Sequence, residues 1–275
     1  MTNVTGTDVV VAAQTLGSTV RTTPLEESVR LSAKVGRQVL LKREDIQVGR
    51  SYKVRGAYNF LAGLGPAEAP NGVVCASAGN HAQGVAFACN KKHIHGTIFI
   101  PSTTPRQKRN RIAAIGGEWV TLRTVGTSFD ECSEAAIAFA KENDAVYVHP
   151  FDDPRTIAGQ GTVVKEIFEQ APTPPATVVV PVGGGGLLSG TLAWVKQFHP
   201  EVKVVGVEPA GAASMAAALK AGAPQTLETV GEVELLGGRL TASEIQCEVL
   251  ALKFFVAGVD LLGKSFQLFA AHGRQ

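Results

Sequence analysis

Between about residues 38 and 208, short runs of β-branched residues alternate with longer Ala-rich stretches whose apolar positions recur at helical spacing. The runs predict strands at 39–42, 72–76, 96–101, 118–122, 146–149, 177–182 and 202–207, with helices between them. Thr97-Ile98-Phe99-Ile100 and Val178-Val179-Val180 are nearly continuous apolar runs. Such runs predict strands buried on both faces, as in a parallel sheet covered by helices. The expected fold class is α/β.

In an open parallel sheet, ligands gather at the carboxyl ends of the strands, where a loop opens into a helix. Three predicted strand exits stand out. The 177–182 strand leads into Gly183-Gly184-Gly185-Gly186-Leu187-Leu188-Ser189, the 72–76 strand into Ser77-Ala78-Gly79-Asn80-His81, and the 39–42 strand towards Arg50-Ser51-Tyr52-Lys53-Val54-Arg55-Gly56. Four consecutive glycines carry a high backbone-entropy cost, so a fold keeps them where the chain must adopt positive φ or approach a ligand closely. Followed by an apolar helix, they present successive N–H groups and a helix N-terminus, a site for a phosphate dianion. The loop lacks the Gly-Lys-Ser/Thr of a P-loop and the G-x-G-x-x-G of a dinucleotide site. A cofactor with one phosphate that also needs a lysine is pyridoxal phosphate.

Lys53 is the candidate Schiff-base lysine, with Tyr52 offering an aromatic face and Arg55 a nearby cation expected to lower the amine pKa. Ser51 reads either as part of this site or as a helix cap. Asn80 can hydrogen-bond a ring hydroxyl, and backbone N–H groups around it can bind a carboxylate. His81 on its own reads as a packed histidine just inside a helix, and the remaining histidines show no metal-ligand spacing.

Composition narrows the classes further. The 275 residues are 45% hydrophobic and 18% charged with a net charge of +2, so nucleic acid and membrane surfaces are not expected partners. Cys75, Cys89, Cys132 and Cys247 form no C-x-x-C pair, which predicts free thiols in a reducing compartment. The first 30 residues lack a basic segment before their apolar stretch, and no segment reaches about 18 apolar residues, so a cytoplasmic location is expected.

Six segments taken together resemble a known family. Lys42-Arg43-Glu44-Asp45, Ser51-Tyr52-Lys53-Val54-Arg55-Gly56-Ala57, Ser77-Ala78-Gly79-Asn80-His81-Ala82-Gln83-Gly84, Thr104-Pro105-Arg106-Gln107-Lys108, Gly159-Gln160-Gly161-Thr162 and the four glycines occur in the order of the threonine ammonia-lyases (threonine dehydratases). These are fold-type II pyridoxal-phosphate enzymes of the tryptophan synthase β-like group, and the resemblance runs from about residue 20 to residue 229. It implies two open parallel-sheet α/β domains with a cofactor cleft between them. Residues 1–47 and 148–229 would form a large discontinuous domain and 48–147 a small one, followed by an atypical tail at 230–275.

Carried over by position, the resemblance makes Lys53 the lysine that holds the cofactor and acts as general base. Tyr52, Asn80, Gly183, Gly184, Gly185, Gly186 and Leu187 would bind the cofactor, with the glycines and Leu187 cradling its phosphate. Ser77, Ala78, Gly79 and His81 would take the substrate carboxylate. Related serine racemases carry a second serine where this chain has Ala78, which favours elimination over racemisation here. Some relatives bind a divalent cation through a glutamate matched by Glu208, but Ser214 stands in place of the second acid, so no metal is expected.

The implied reaction converts L-threonine, and less well L-serine, to 2-oxobutanoate or pyruvate and ammonia. It is the first step of isoleucine biosynthesis or of threonine catabolism, in a homo-oligomer. A serine or threonine racemase and a truncated, non-catalytic remnant are the alternatives. For 230–275, a short alternative closing segment and a truncated or frame-shifted chain both stay open, and the expected consequence is weak cofactor binding with slow turnover or none.

Overall fold

The computed structural model describes residues 4–65, 67–223, 225 and 247–250. The chain opens with α1 (Gly6–Leu16), whose N-terminus is closed by reciprocal Thr5 and Asp8 hydrogen bonds. Then follow β1 (Leu25–Glu27), α2 (Val29–Val35), β2 (Leu40–Lys42), two short 3₁₀ turns, and α3 (Lys53–Ala62). Next come β3 (Val73–Ala76), α4 (Asn80–Lys92), β4 (Gly96–Ile100), α5 (Arg106–Gly116), β5 (Val120–Thr124), α6 (Phe129–Glu142) and β6 (Val146–Tyr147). The last described elements are α7 (Pro154–Gln170), β7 (Thr177–Pro181), α8 (Gly186–Phe198), β8 (Lys203–Pro209), α9 (Ser214–Ala221) and β9 (Cys247–Leu250).

The expected alternation of strand and helix is present, and the class is α/β. One sheet has the order β5-β4-β3-β6 with every pairing parallel, in registers that set Val73 opposite both Gly96 and Val146, and Gly96 opposite Val120. Its strands face apolar side chains both ways. Val73, Cys75, Ile98 and Ile100 join the core built with α3 and α4, whereas Val74, Ala76 and Phe99 pack on Cys132, Ala136 and Ala140 of α6. That is the two-sided burial expected of a parallel sheet flanked by helices.

A second sheet pairs β7 in parallel with β8, and β8 antiparallel with β9. Here the expectation of two-sided burial fails for β7. Val178 and Val180 join the core of α1, α7 and α8, but Thr177 and Pro181 are exposed and Val179 is 64% exposed. Three consecutive valines carry no face information, because the residue type is the same on both sides of the pleat.

The 39–42 strand needs a second correction. It forms, but it pairs antiparallel with β1, Leu25 opposite Lys42, in a two-stranded ribbon separate from both parallel sheets. Lys53 is therefore not at the exit of a parallel strand. It is reached through the turns Glu44–Ile46 and Val48–Arg50 and heads α3, which packs on α4 and α7. The strand expected at 118–122 begins two residues later, because Gly117–Trp119 forms a 3₁₀ turn.

Apart from the backbone of β9, the 230–275 tail lies outside the described residues. No described helix is long and apolar enough to cross a membrane.

Candidate active site

Three segments far apart in sequence meet around one amine. Lys53 is the first residue of α3, and its backbone N–H is accepted by Ser51 Oγ at 3.3 Å. Ser51 stands one residue before the cap position, Tyr52; it holds the first helical N–H and also lines the cavity beside Lys53. Lys53 Nζ donates to the Pro150 carbonyl at 2.8 Å and lies 5.5 Å from the centroid of the Tyr52 ring. Burial disfavours its charge and pushes the amine down to about 8.

Burial, rather than Arg55, is the cause of that shift, which corrects the sequence expectation. The guanidinium points away into a buried ion network, forking onto Glu44 (2.8 and 2.9 Å) and onto Glu166 (2.6 and 2.9 Å). Its side chain is 1% exposed, and Lys42 adds a second cation on Glu166 at 2.7 Å. Burial opposes the guanidinium charge, and Glu44 and Glu166 outweigh it, so the Arg55 pKa is raised.

Two cavities share Lys53, Tyr52 and Phe151 in their walls. The smaller, about 160 Å³, is lined on its other side by residues 183–187, the turn after β7 and the first two residues of α8. Gly185 there has φ +84°, a conformation that favours glycine. A Cβ on Gly184 would lie 2.3 Å from the Phe151 ring, whereas one on Gly183 would meet nothing within 4 Å. The turn is therefore pressed against Phe151 at one glycine and open at the next.

The larger cavity, about 360 Å³, is lined on its far side by Ala76, Ser77, Asn80, His81 and Phe129. Ser77 Oγ accepts the Gly79 N–H at 3.1 Å, which folds the segment back, and Asn80 starts α4 exposed at the rim. Ala78 and Gly79 are half-buried in the same turn but are not among the wall residues.

His81 is buried, and its Nε2 bonds the Val148 carbonyl at 3.0 Å, so Nε2 carries the proton. Burial, helped by the nearby Lys53 charge, pushes its pKa down to about 3, and its Nδ1 has no hydrogen-bond partner among the described residues. The ring is a packed, neutral histidine at the edge of the cavity.

Sequence reasoning missed the 148–151 segment. Pro150 supplies the carbonyl that holds Lys53, and Phe151 borders both cavities. His149 fixes this turn by accepting the Asp152 N–H at 2.8 Å and placing its ring edge-on to Phe151. These residues follow β6, and the rule that ligands gather at strand ends would have found them. Gln160, fully buried, donates to the same Pro150 carbonyl at 3.3 Å. Glu208, also fully buried, accepts the N–H groups of Met215 and Ala216 at 2.8 and 2.9 Å and so caps α9.

Comparison with known proteins agrees with this geometry. Residues 17–259 match the family described as pyridoxal-phosphate dependent enzyme, thirty residues beyond Thr229, where the resemblance seen in the sequence ends. The biosynthetic L-threonine dehydratase IlvA of Mycobacterium tuberculosis is 49% identical over 230 residues, 84% of this chain and 54% of that protein. The chain thus spans about half the length of the curated relatives it matches.

Among solved structures, the processed form of threonine deaminase isoform 2 from Solanum lycopersicum is 40% identical with a TM-score of 0.74, covering 81% of this chain and 63% of that one. Maize serine racemase is 32% identical with a TM-score of 0.78, covering 83% and 68%. By the family match, by these identities and by its fold, the chain belongs to the pyridoxal-phosphate dependent enzymes.

Proposed function

We propose that this chain is an ammonia-lyase that eliminates ammonia from L-threonine, and less efficiently from L-serine, to give 2-oxobutanoate or pyruvate. The observation that carries this reading is the position of Lys53 Nζ in the shared wall of two cavities, one bounded by four glycines and one by Ser77, Asn80 and His81. The residues fit the cofactor. Gly183 leaves open space where any other residue would place a Cβ, and the α8 N-terminus stands beside it to receive a phosphate dianion. Pyridoxal phosphate, when bound, supplies an electron sink for the charge left on Cα.

In this reading the backbone of Gly183, Gly184, Gly185, Gly186 and Leu187 holds the phosphate, while Tyr52 and Asn80 orient the ring. The turn containing Ser77, Ala78, Gly79 and His81 holds the substrate carboxylate. Its Ser77 hydroxyl fixes the turn by accepting from Gly79 and is free to donate outward. Lys53, whose amine is neutral above pH 8, takes the Cα proton, and the ammonium so formed can return that proton to the β-hydroxyl, which leaves as water. Ala78 carries no ionisable group to return a proton on the opposite face, which supports elimination over racemisation.

The same reading divides the chain into a small domain at 48–147, supported by the β5-β4-β3-β6 sheet, and a large one from 1–47 and 148–229, supported by the β7-β8 pairing. Buried, unpaired Cys75, Cys89 and Cys132 support the cytoplasm. A homo-oligomer belongs to the reading through the family resemblance.

The direct test is release of ammonia and 2-oxobutanoate from L-threonine by the cofactor-loaded chain. No 2-oxo acid alongside interconversion of L- and D-serine would favour the racemase. Three further results are expected. Covalent attachment of pyridoxal phosphate to Lys53 requires the neutral amine, so its rate should rise about tenfold per pH unit below 8 and level off above it. A stopped-flow profile still rising steeply at pH 10 would contradict this. Gly183→Ala should leave the melting temperature unchanged while weakening cofactor affinity about tenfold or more, because its Cβ occupies only ligand space. Gly184→Ala should cost about 1–3 kcal/mol of stability by displacing the Phe151 ring. Thermal melts and fluorescence titration with cofactor separate the two.

A further inference from the structure

We propose that Phe129 determines substrate side-chain specificity, providing the apolar surface that favours a substrate with a methyl group on Cβ. This rests on the ammonia-lyase reading and deepens it. The 360 Å³ cavity has a polar wall of Lys53, Ser77 and Asn80, which suits the amino and carboxylate groups common to all α-amino acids. A substituent that distinguishes one amino acid from another must meet the remaining, apolar wall. Phe151 and Pro150 in that wall are already committed. Phe151 is pressed on Gly184 with His149 edge-on to it, and the Pro150 carbonyl holds Lys53. Ala76 is 1% exposed and has no apolar area left to cover.

Phe129 differs from all of these. It lines the cavity beside Ser77 and Asn80 yet is 52% exposed. Its backbone is fixed as the first residue of α6, where Ser128 Oγ accepts the Glu131 N–H and the Glu131 carboxylate accepts the N–H groups of Thr127 and Ser128. A rigid base carrying a half-exposed aromatic ring at the mouth of a cavity gains buried area when a ligand arrives, with little ordering cost. One methylene-sized group buried on that ring is worth about fourfold in affinity. L-threonine has that group and L-serine does not.

The test uses the cofactor-loaded full chain and its Phe129→Ala and Phe129→Leu variants. Apparent dissociation constants for L-threonine and L-serine are read from the cofactor absorbance, and KM values from 2-oxo acid release. Because Phe129 is half-exposed and does not line the glycine-bounded cavity, the variants should keep most of the affinity for pyridoxal phosphate. The alanine variant is expected to lose threonine affinity about fourfold relative to serine, and the leucine variant to retain most of the preference. An unchanged threonine-to-serine ratio in Phe129→Ala, with 2-oxo acid release intact, overturns the proposal and leaves the ammonia-lyase reading standing. Equal weakening of both amino acids also overturns it, assigning the ring to water exclusion alone. A wild-type chain that binds pyridoxal phosphate but neither amino acid overturns the ammonia-lyase reading, and the specificity role with it.

Discussion

Lys53→Ala is expected to abolish 2-oxobutanoate release from L-threonine, with a fall of at least about 10²–10⁴-fold, the usual contribution of one positioned proton-transfer group. The loss has two sources. Among the described residues no other lysine lines either cavity, so no described neighbouring amine can take over covalent attachment or proton transfer. The phosphate cradle is untouched by the change, so the variant should still bind pyridoxal phosphate reversibly. After borohydride treatment, the wild-type chain should carry the reduced cofactor on Lys53 in peptide mass spectra, and the variant should carry none. Labelling of a different lysine in the wild type would remove Lys53 from the site.

Replacing Arg55 with alanine should produce a large loss of stability. Arg55 forks onto Glu44 and Glu166 while being 1% exposed, and those carboxylates are themselves only 12% and 15% exposed. Removing the guanidinium leaves two buried negative charges with Lys42 as the remaining cation on Glu166. Breaking a buried ion pair in this way costs about 3–5 kcal/mol. In a chain of this size that corresponds to a fall in melting temperature on the order of 10 °C. Urea unfolding and calorimetry measure it, and a loss below about 1 kcal/mol would show the network to be dispensable.

Arg55→Lys keeps one positive charge but cannot form two forks, so a smaller loss is expected. The neutral Arg55→Gln variant, assayed where it is still folded, separates the two explanations for the Lys53 amine. If burial sets its pKa, the midpoint for cofactor attachment stays near 8; an upward move would restore the Arg55 charge as the cause.

The periodicity of the chain determined that the fold is α/β. It also located strands β3, β4, β7 and β8 to within two residues, because apolar runs of this length and composition have few other stable uses. The chemistry-bearing turns were legible for a related reason. Four consecutive glycines and a small-residue turn at strand exits are costly for backbone order, and their presence implies something for them to hold.

What the sequence left open was decided by packing. Arg55 stands two residues from Lys53 in the chain, so proximity suggested that it tunes the amine. Their side chains diverge in α3, and one points to the cavity while the other enters a network with residues 11 and 111 positions away. The valines of β7 read as buried throughout, and only the docking of α7 and α8 on one side determined which were covered. Pro150 and Phe151 were legible only as the exit of the predicted 146–149 strand, and Phe129, at the start of α6, carried no local signature, since their residue types are compatible with many surroundings. They became site residues when β6 and α6 were brought beside α3 and the glycine turn. Local sequence sets backbone preference and burial tendency over a few residues, whereas the environment of a particular atom is set by segments a hundred residues apart, and only the tertiary structure brings those together.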